Sequence, residues 1–223
     1  MKLVVSVVGL WLVAVASARA QEPPPRIPII VIDVQGSVPR FPNDPNLAAS
    51  RGYTAADGTL KSLSETELPG AGLGGQLGAH VYVFKFKAIT VGVGGQVLVT
   101  RAKQTPPDDV QNQLKPVTEK FRSLGVQLSL NFGTGAGWSY LSGGIGRSNW
   151  SIVPEGNAPL EGDEEVLKTI NYGGGARWFA KTHLAFSFDV RLYAINPGTP
   201  SLAGHPGSPR TTFMVIGAGI SLK

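Results

Sequence analysis

The stretch TVGVGGQVLVT, Thr90 to Thr100, decides the fold. Val91, Val93, Val97 and Val99 fall on one parity, whereas Thr90, Gly92, Gln96 and Thr100 fall on the other. Successive side chains of a strand point to opposite faces, so this strand has one apolar face and one polar, glycine-rich face. A closed barrel in lipid, greasy side outward, needs that division.

The same rhythm recurs eight times between Pro28 and Lys223. The spacing predicts strands over 28–41, 71–84, 88–101, 121–132, 138–145, 168–179, 184–193 and 211–223. In the fourth, Leu124, Val126, Leu128 and Leu130 oppose Gly125, Gln127, Ser129 and Asn131. In the seventh, Leu184, Phe186, Phe188, Val190 and Leu192 alternate with Ala185, Ser187, Asp189, Arg191 and Tyr193. Connections one, three, five and seven are expected to run roughly 16 to 29 residues, and the others roughly three to five, within the usual hairpin range. Short turns at one end, long loops at the other and an even strand count describe a transmembrane barrel with both chain ends on the short-turn side. A soluble lipocalin-like barrel also has eight strands, but would carry its apolar residues inside. The expected fold is therefore an all-β, eight-stranded antiparallel up-and-down transmembrane barrel over 28–223.

The chain begins with a targeting pattern. Lys2 precedes an apolar stretch from Leu3 to Val15, and Ala18-Arg19-Ala20 offers small residues where a signal peptidase reads. About thirteen apolar residues are too few for a spanning helix, so 1–20 reads as a signal peptide cleaved before Gln21. Residues 21–27, with three consecutive prolines, form a short stiff lead-in. Twenty-nine glycines, 42% hydrophobic and only 16% charged residues suit a barrel with an apolar exterior. Part of the formal charge of +5 is removed with Lys2 and Arg19, which argues against nucleic acid as a partner. The absence of cysteine agrees with export without proving it.

Three stretches carry a family resemblance: Leu128-Ser129-Leu130-Asn131-Phe132-Gly133, Gly173-Gly174-Gly175-Ala176-Arg177-Trp178-Phe179, and His183-Leu184-Ala185-Phe186-Ser187-Phe188-Asp189-Val190-Arg191. With the overall pattern, they resemble the OmpA/OmpX-type eight-stranded outer-membrane β-barrels. The resemblance implies an outer-membrane location and insertion by the barrel-assembly machinery. One departure is the ending Ile220-Ser221-Leu222-Lys223, where such barrels usually end in an aromatic residue.

On the inward parity, Asp33, Gln76, His80, Gln96, Gln127, Arg177, Asp189 and Arg191 form a candidate polar network. They line either a conduit or a hydrogen-bonded plug. An eight-stranded interior is just wide enough for its own side chains, and buried charges must be paired, which favours the plug. Arg177 and Asp189, on strands joined by a short turn, are an expected contact. Aromatics near the short turns (Tyr82, Phe84, Phe132, Trp138, Tyr140, Trp178 and Phe179) are expected to form a lower girdle. Arg40, Arg101, Lys103, Lys120, Arg122, Arg147, Lys168 and Arg210 fall at the loop-side strand ends and form an outer basic rim. That rim reads equally well as a contact for lipopolysaccharide phosphates and as charged residues snorkelling to water.

A catalytic constellation does not emerge from the three histidines, and no His/Cys spacing suits a metal. The sequence points to a monomeric, non-catalytic barrel without a cofactor. Outer-membrane lipid is its surroundings, and envelope structure or surface interaction through four loops is its role. A narrow pore for small solutes is the alternative, and a lipid-modifying enzyme a more distant one.

Overall fold

The computed structural model describes residues 26–106, 114–200, 204 and 206–223, so the expected signal peptide lies outside the described residues. In chain order the elements are β1 (Ile30–Arg40), α1 (Pro45–Ala49), β2 (Gly52–Thr54), β3 (Leu60–Ser62), β4 (Leu73–Phe86), β5 (Ile89–Gln104) and β6 (Val117–Thr134). β7 (Gly137–Pro154), α2 (Glu161–Glu164), β8 (Val166–Phe179), β9 (Leu184–Ile195) and β10 (Thr211–Leu222) follow. β1 and β4 to β10 make one closed antiparallel barrel, each strand beside its sequence neighbour and β1 sealing against β10. Closure leaves no free edge, so every strand finds its backbone partners within the wall.

Strand lengths run from 11 residues in β1 to 18 in β6 and β7, enough to cross a bilayer obliquely. At one end β4 and β5 meet in a turn at Lys87 and Ala88, with Lys87 left-handed (φ 54°), and β6 and β7 meet at Gly135 and Ala136. At the other end the connections are long. The first carries α1, the small β2–β3 hairpin and a 3-10 turn at Glu65–Glu67, where the sequence reading has only a long connection.

The largest boundary correction concerns β7, expected to stop at Ile145 but continuing to Pro154. Arg147, Asn149 and Ser151 look like loop in the sequence. They are instead the outward side of a strand that has risen out of the apolar layer, while Ser148, Trp150 and Ile152 are buried within. β6 begins early for the same reason, and the loops after β5 and β7 shrink accordingly. Lower down, the outward residues are the expected apolar ones, Leu124, Val126, Leu128, Leu141, Ile145 and Ile170 among them, all more than half exposed.

Candidate functional site

The lumen has two unlike halves. In the half nearer the short turns, all eight of the polar residues named above are buried or half-buried. Asp33 accepts from Arg177 Nε at 2.8 Å and from Nη2, receives the Ser221 hydroxyl, and lies 3.3 Å from His80 Nδ1. His80 Nε2 is 3.4 Å from Gln127 Oε1, and Gln127 Nε2 donates to Asn171 Oδ1 (3.0 Å) and to Gln96 Oε1. Arg191 Nη1 donates to the same Asn171 oxygen at 3.0 Å, while its Nε and Nη2 grip Asp189 at 3.2 and 3.0 Å. Tyr140 Oη donates to Asp189 Oδ2 at 2.8 Å, and the Arg177 guanidinium sits 4.3 Å from the centre of the Tyr140 ring. The contacts thus close on themselves: Asp33, His80, Gln127, Asn171, Arg191, Asp189, Tyr140, Arg177 and back to Asp33. Two carboxylates and two guanidiniums cancel, the condition under which charge can be buried without a large penalty.

Gln76 stands outside this ring, donating to Gln35, whose Nε2 donates to Ser187 Oγ at 2.8 Å. The expected Arg177–Asp189 contact is not made. Arg177 lies opposite Ser187, two positions below Asp189, and reaches across the lumen to β1 instead. Tyr140, Asn171 and Ser142, which complete the network, were missed among the site residues, although their parity is inward. Inward glycines show how full the space is. A Cβ on Gly175 would stand 2.6 Å from Tyr140 Oη, and one on Gly94 would stand 2.5 Å from His80 Cδ2.

The loop-side half is mostly apolar, with one buried carboxylate, Glu119, that accepts from Trp150 Nε1 at 2.7 Å. Leu98, Phe121, Trp150, Ile152, Tyr193, Ile195, Phe213 and Val215 point inward and pack with Phe41, Leu47, Leu63 and Leu68 of the first loop and its flank. Phe213 is the hub, with ring centroids 4.8 Å from Phe121, 5.0 Å from Phe41 and 5.6 Å from Trp150. The lumen residues named from the sequence are all polar, and this apolar core is an addition to them. α1 seats Leu47 in it, with Asp44 capping the helix through the Asn46 and Leu47 amides.

A polar clasp holds the first loop down. Buried Arg51 donates to Gly162 O at 2.7 Å and to Trp150 O at 2.9 Å, and its Nε is 3.8 Å from Asp163 Oδ1. Asp163 in turn accepts from the Ile152 amide at 2.8 Å and the Leu160 amide at 3.1 Å. Burial pushes the Asp163 carboxyl above its ordinary range, against the pull of Arg51, and pushes the Arg51 guanidinium down. Glu165 receives the amide and hydroxyl of Thr199, tying the third long loop to the fourth.

Outside, the girdle needs revision. Phe84, Phe132 and Trp178 face outward, joined by Phe86 and Phe186. Tyr82, Trp138 and Tyr140 face inward, and Phe179 packs against that inner cluster. Tyr82 and Phe84 share a parity yet lie on opposite sides because the register shifts between them, a bulge at Val83 that leaves Val83 and Phe84 both outward. All eight residues of the basic rim are exposed. Arg101 lies directly across from Lys120, and Arg147 directly across from Lys168. Among the described residues only Lys103 of the eight has an ion-pair partner, Glu155 at 3.3 Å. No cluster of three or more potential metal ligands occurs among the described residues.

This architecture is a closed eight-stranded antiparallel barrel with an apolar exterior, the fold of outer-membrane β-barrel transmembrane proteins. The structure is similar to that of Neisserial surface protein A, with a TM-score of 0.52 at 11% identity over 88% of this chain and 97% of that one. Ail, the attachment invasion locus protein of Yersinia pestis, solved with the heparin analogue sucrose octasulfate, aligns at a TM-score of 0.39 and 17% identity, over 86% of this chain and 96% of that one. The outer membrane protein AlkL in DMPC bilayers aligns at 0.39 and 14%, over 91% and 93%. No protein-family profile matches the sequence, and no curated protein is detectably similar to it.

Proposed function

We propose that this chain is exported by a cleaved signal peptide and resides in the outer membrane as a monomeric, non-catalytic barrel. It acts from its surface, through the loop-bearing end and the basic rim, rather than through its lumen. The observation that carries this reading is double occlusion. A charge-balanced ring fills the lower lumen, and an aromatic core with α1 seated in it fills the upper lumen. Phe121, Trp150 and Phe213 pack against one another in the lumen above that ring, and this is the ground for expecting no passage of small solutes. In the lower half, His80 faces Asp33 and an amide, Gln127, with no hydroxyl nucleophile on its other nitrogen, which is why a hydrolytic reading is not favoured.

The test is conductance in planar bilayers, paired with tag accessibility on intact cells. Mature protein should be electrically silent, with tags near Asp57 and Gly156 accessible and tags at Lys181-Thr182 protected. Reproducible wild-type channels whose ion selectivity follows Asp33, Arg177, Asp189 or Arg191 would replace this reading with the narrow pore. Inverted accessibility would overturn the assignment of the loop end to the cell surface.

A further inference from the structure

The basic rim is not evenly spread. Six of its eight members (Arg101, Lys103, Lys120, Arg122, Arg147 and Lys168) lie on the four neighbouring strands β5 to β8, leaving Arg40 and Arg210 alone on the far side. Within this sector two like-charged pairs stand directly across the ladder, Arg101 with Lys120 and Arg147 with Lys168. Like charges directly opposite on adjacent strands destabilise a sheet unless something neutralises them. Among the described residues no carboxylate forms an ion pair with any of these four side chains.

Directly below the second pair the wall is hollowed. A surface depression of about 480 Å³ runs from Arg147 and Lys168 down to Val126, Ile145 and Ile170. These three also line a second depression of about 810 Å³, which continues past Gly143 and Val93 and also touches His80 and Gln127 of the ring. The two share Val126, Ile145 and Ile170 and form one largely apolar trough crowned by two cations. Gly143 deepens it without any need in the barrel itself, since a Cβ there would have no neighbour nearer than 3.8 Å. Inward glycines such as Gly94 and Gly175 are different, being demanded by their neighbours.

We infer that this sector binds one phosphorylated glycolipid of the outer leaflet, with an acyl chain in the trough and a phosphate on each cationic pair. The inference rests on the proposed surface topology and deepens it. An apolar trough ending at paired cations fits a molecule with a greasy tail and an anionic head, because lipid phosphate pairs well with Arg and Lys where the tail is buried. Two pairs argue for two phosphates. They are separated by two strand spacings and four residues along the strand, about 16 Å on the sheet surface by standard strand dimensions. Long, flexible side chains shorten that span toward the width of a disaccharide phosphorylated at both ends, and Arg122 lies between.

The experiment is native mass spectrometry of folded mature protein in detergent, with bisphosphorylated lipid A, the same lipid dephosphorylated, and phosphatidylglycerol as probes. Wild type should retain bisphosphorylated lipid A in preference to the other two. Arg147→Gln with Lys168→Gln should lower that retention at least about tenfold, given the usual contribution of two cations at a membrane surface. Gly143→Phe, which fills the trough, should lower it while leaving heat-modifiable migration on gels intact, whereas Lys61→Gln in the first loop should change nothing. Equal retention by wild type and the Arg147/Lys168 variant, or equal retention of the dephosphorylated lipid or of phosphatidylglycerol, would overturn the inference. Channel activity in bilayers would sink the occluded-barrel reading and leave this site standing, so the two failures are distinguishable.

Discussion

The two halves of the lumen solve one problem by opposite means. Near the turns the space is filled by charges and amides that satisfy one another around a closed ring, from Asp33 through His80, Asn171 and Arg191 back to Arg177. Near the loops it is filled by aromatic and aliphatic side chains around Phe213, much as in a water-soluble domain. The difference follows from what lies outside the wall. Where lipid surrounds the barrel, outward positions take the apolar residues and polar ones are left for the interior. Where water surrounds it, outward positions take Arg101, Lys120, Arg122 and Arg147, and the apolar residues turn in. A polar ring fails by leaving an orphaned charge, and an apolar core fails by leaving a hole, so the halves should respond differently to truncation.

The largest effect is expected at Arg177→Ala, which strands the Asp33 carboxylate in a buried site. Urea unfolding of the detergent-folded barrel should lose about 3–5 kcal/mol. Adding Asp33→Asn to Arg177→Met should recover much of that loss, because the uncompensated charge disappears. A loss below about 1 kcal/mol, the range of exposed pairs, would mean that the ring is solvated and the halves are less unlike than described.

Phe213→Ala attacks the other half. The cost should be about 3 kcal/mol, near the lower end for aromatic truncation, because the first loop can settle into the space. No charge partner exists to relieve it. Proteolysis of the first loop should quicken at the same time, since α1 loses the surface on which Leu47 rests. If the loop stays equally protected, the apolar core is not what holds it down, and the Arg51 clasp alone does.

The smallest effects compare inside with outside directly. Gly175→Ala should cost about 1–3 kcal/mol, because its methyl group meets Phe188 O and Tyr140 Oη at 2.1 and 2.6 Å. Gly143→Ala, with open space outside, should stay within about 0.5 kcal/mol of wild type. Equal costs for the two would contradict the tight packing of the lower lumen.

Much of this was legible residue by residue. The parity of Val91 to Val99 and of Leu124 to Leu130 marks the lipid-facing side, and with it the inward placement of Asp33, Arg177, Asp189 and Arg191. The apolar upper core was overlooked, yet its signal is present: in β6 the apolar parity switches between Phe121 and Leu124, and in β7 between Ile145 and Trp150. In β7, the residues beyond Ile145 read as loop, and their periodicity was lost with them. Tyr82 could not be placed by parity, because the bulge beyond it depends on how β4 meets β5.

By itself, the sequence determined the strand count, the facing of the middle of each strand, the short and long ends and the location of the cations. All of these follow from local alternation and connection length, which a chain carries along its own backbone. Only the tertiary structure decided who touches whom across the lumen. Arg177 takes Asp33, 144 positions away in the chain, rather than the nearer Asp189, because ring closure brings β1 within reach of β8 across a narrow interior. The meeting of Arg147 with Lys168 above a hollow, and the descent of α1 into the barrel mouth, were likewise set by strand register and by the volume left to fill. Neither quantity exists until the barrel has closed.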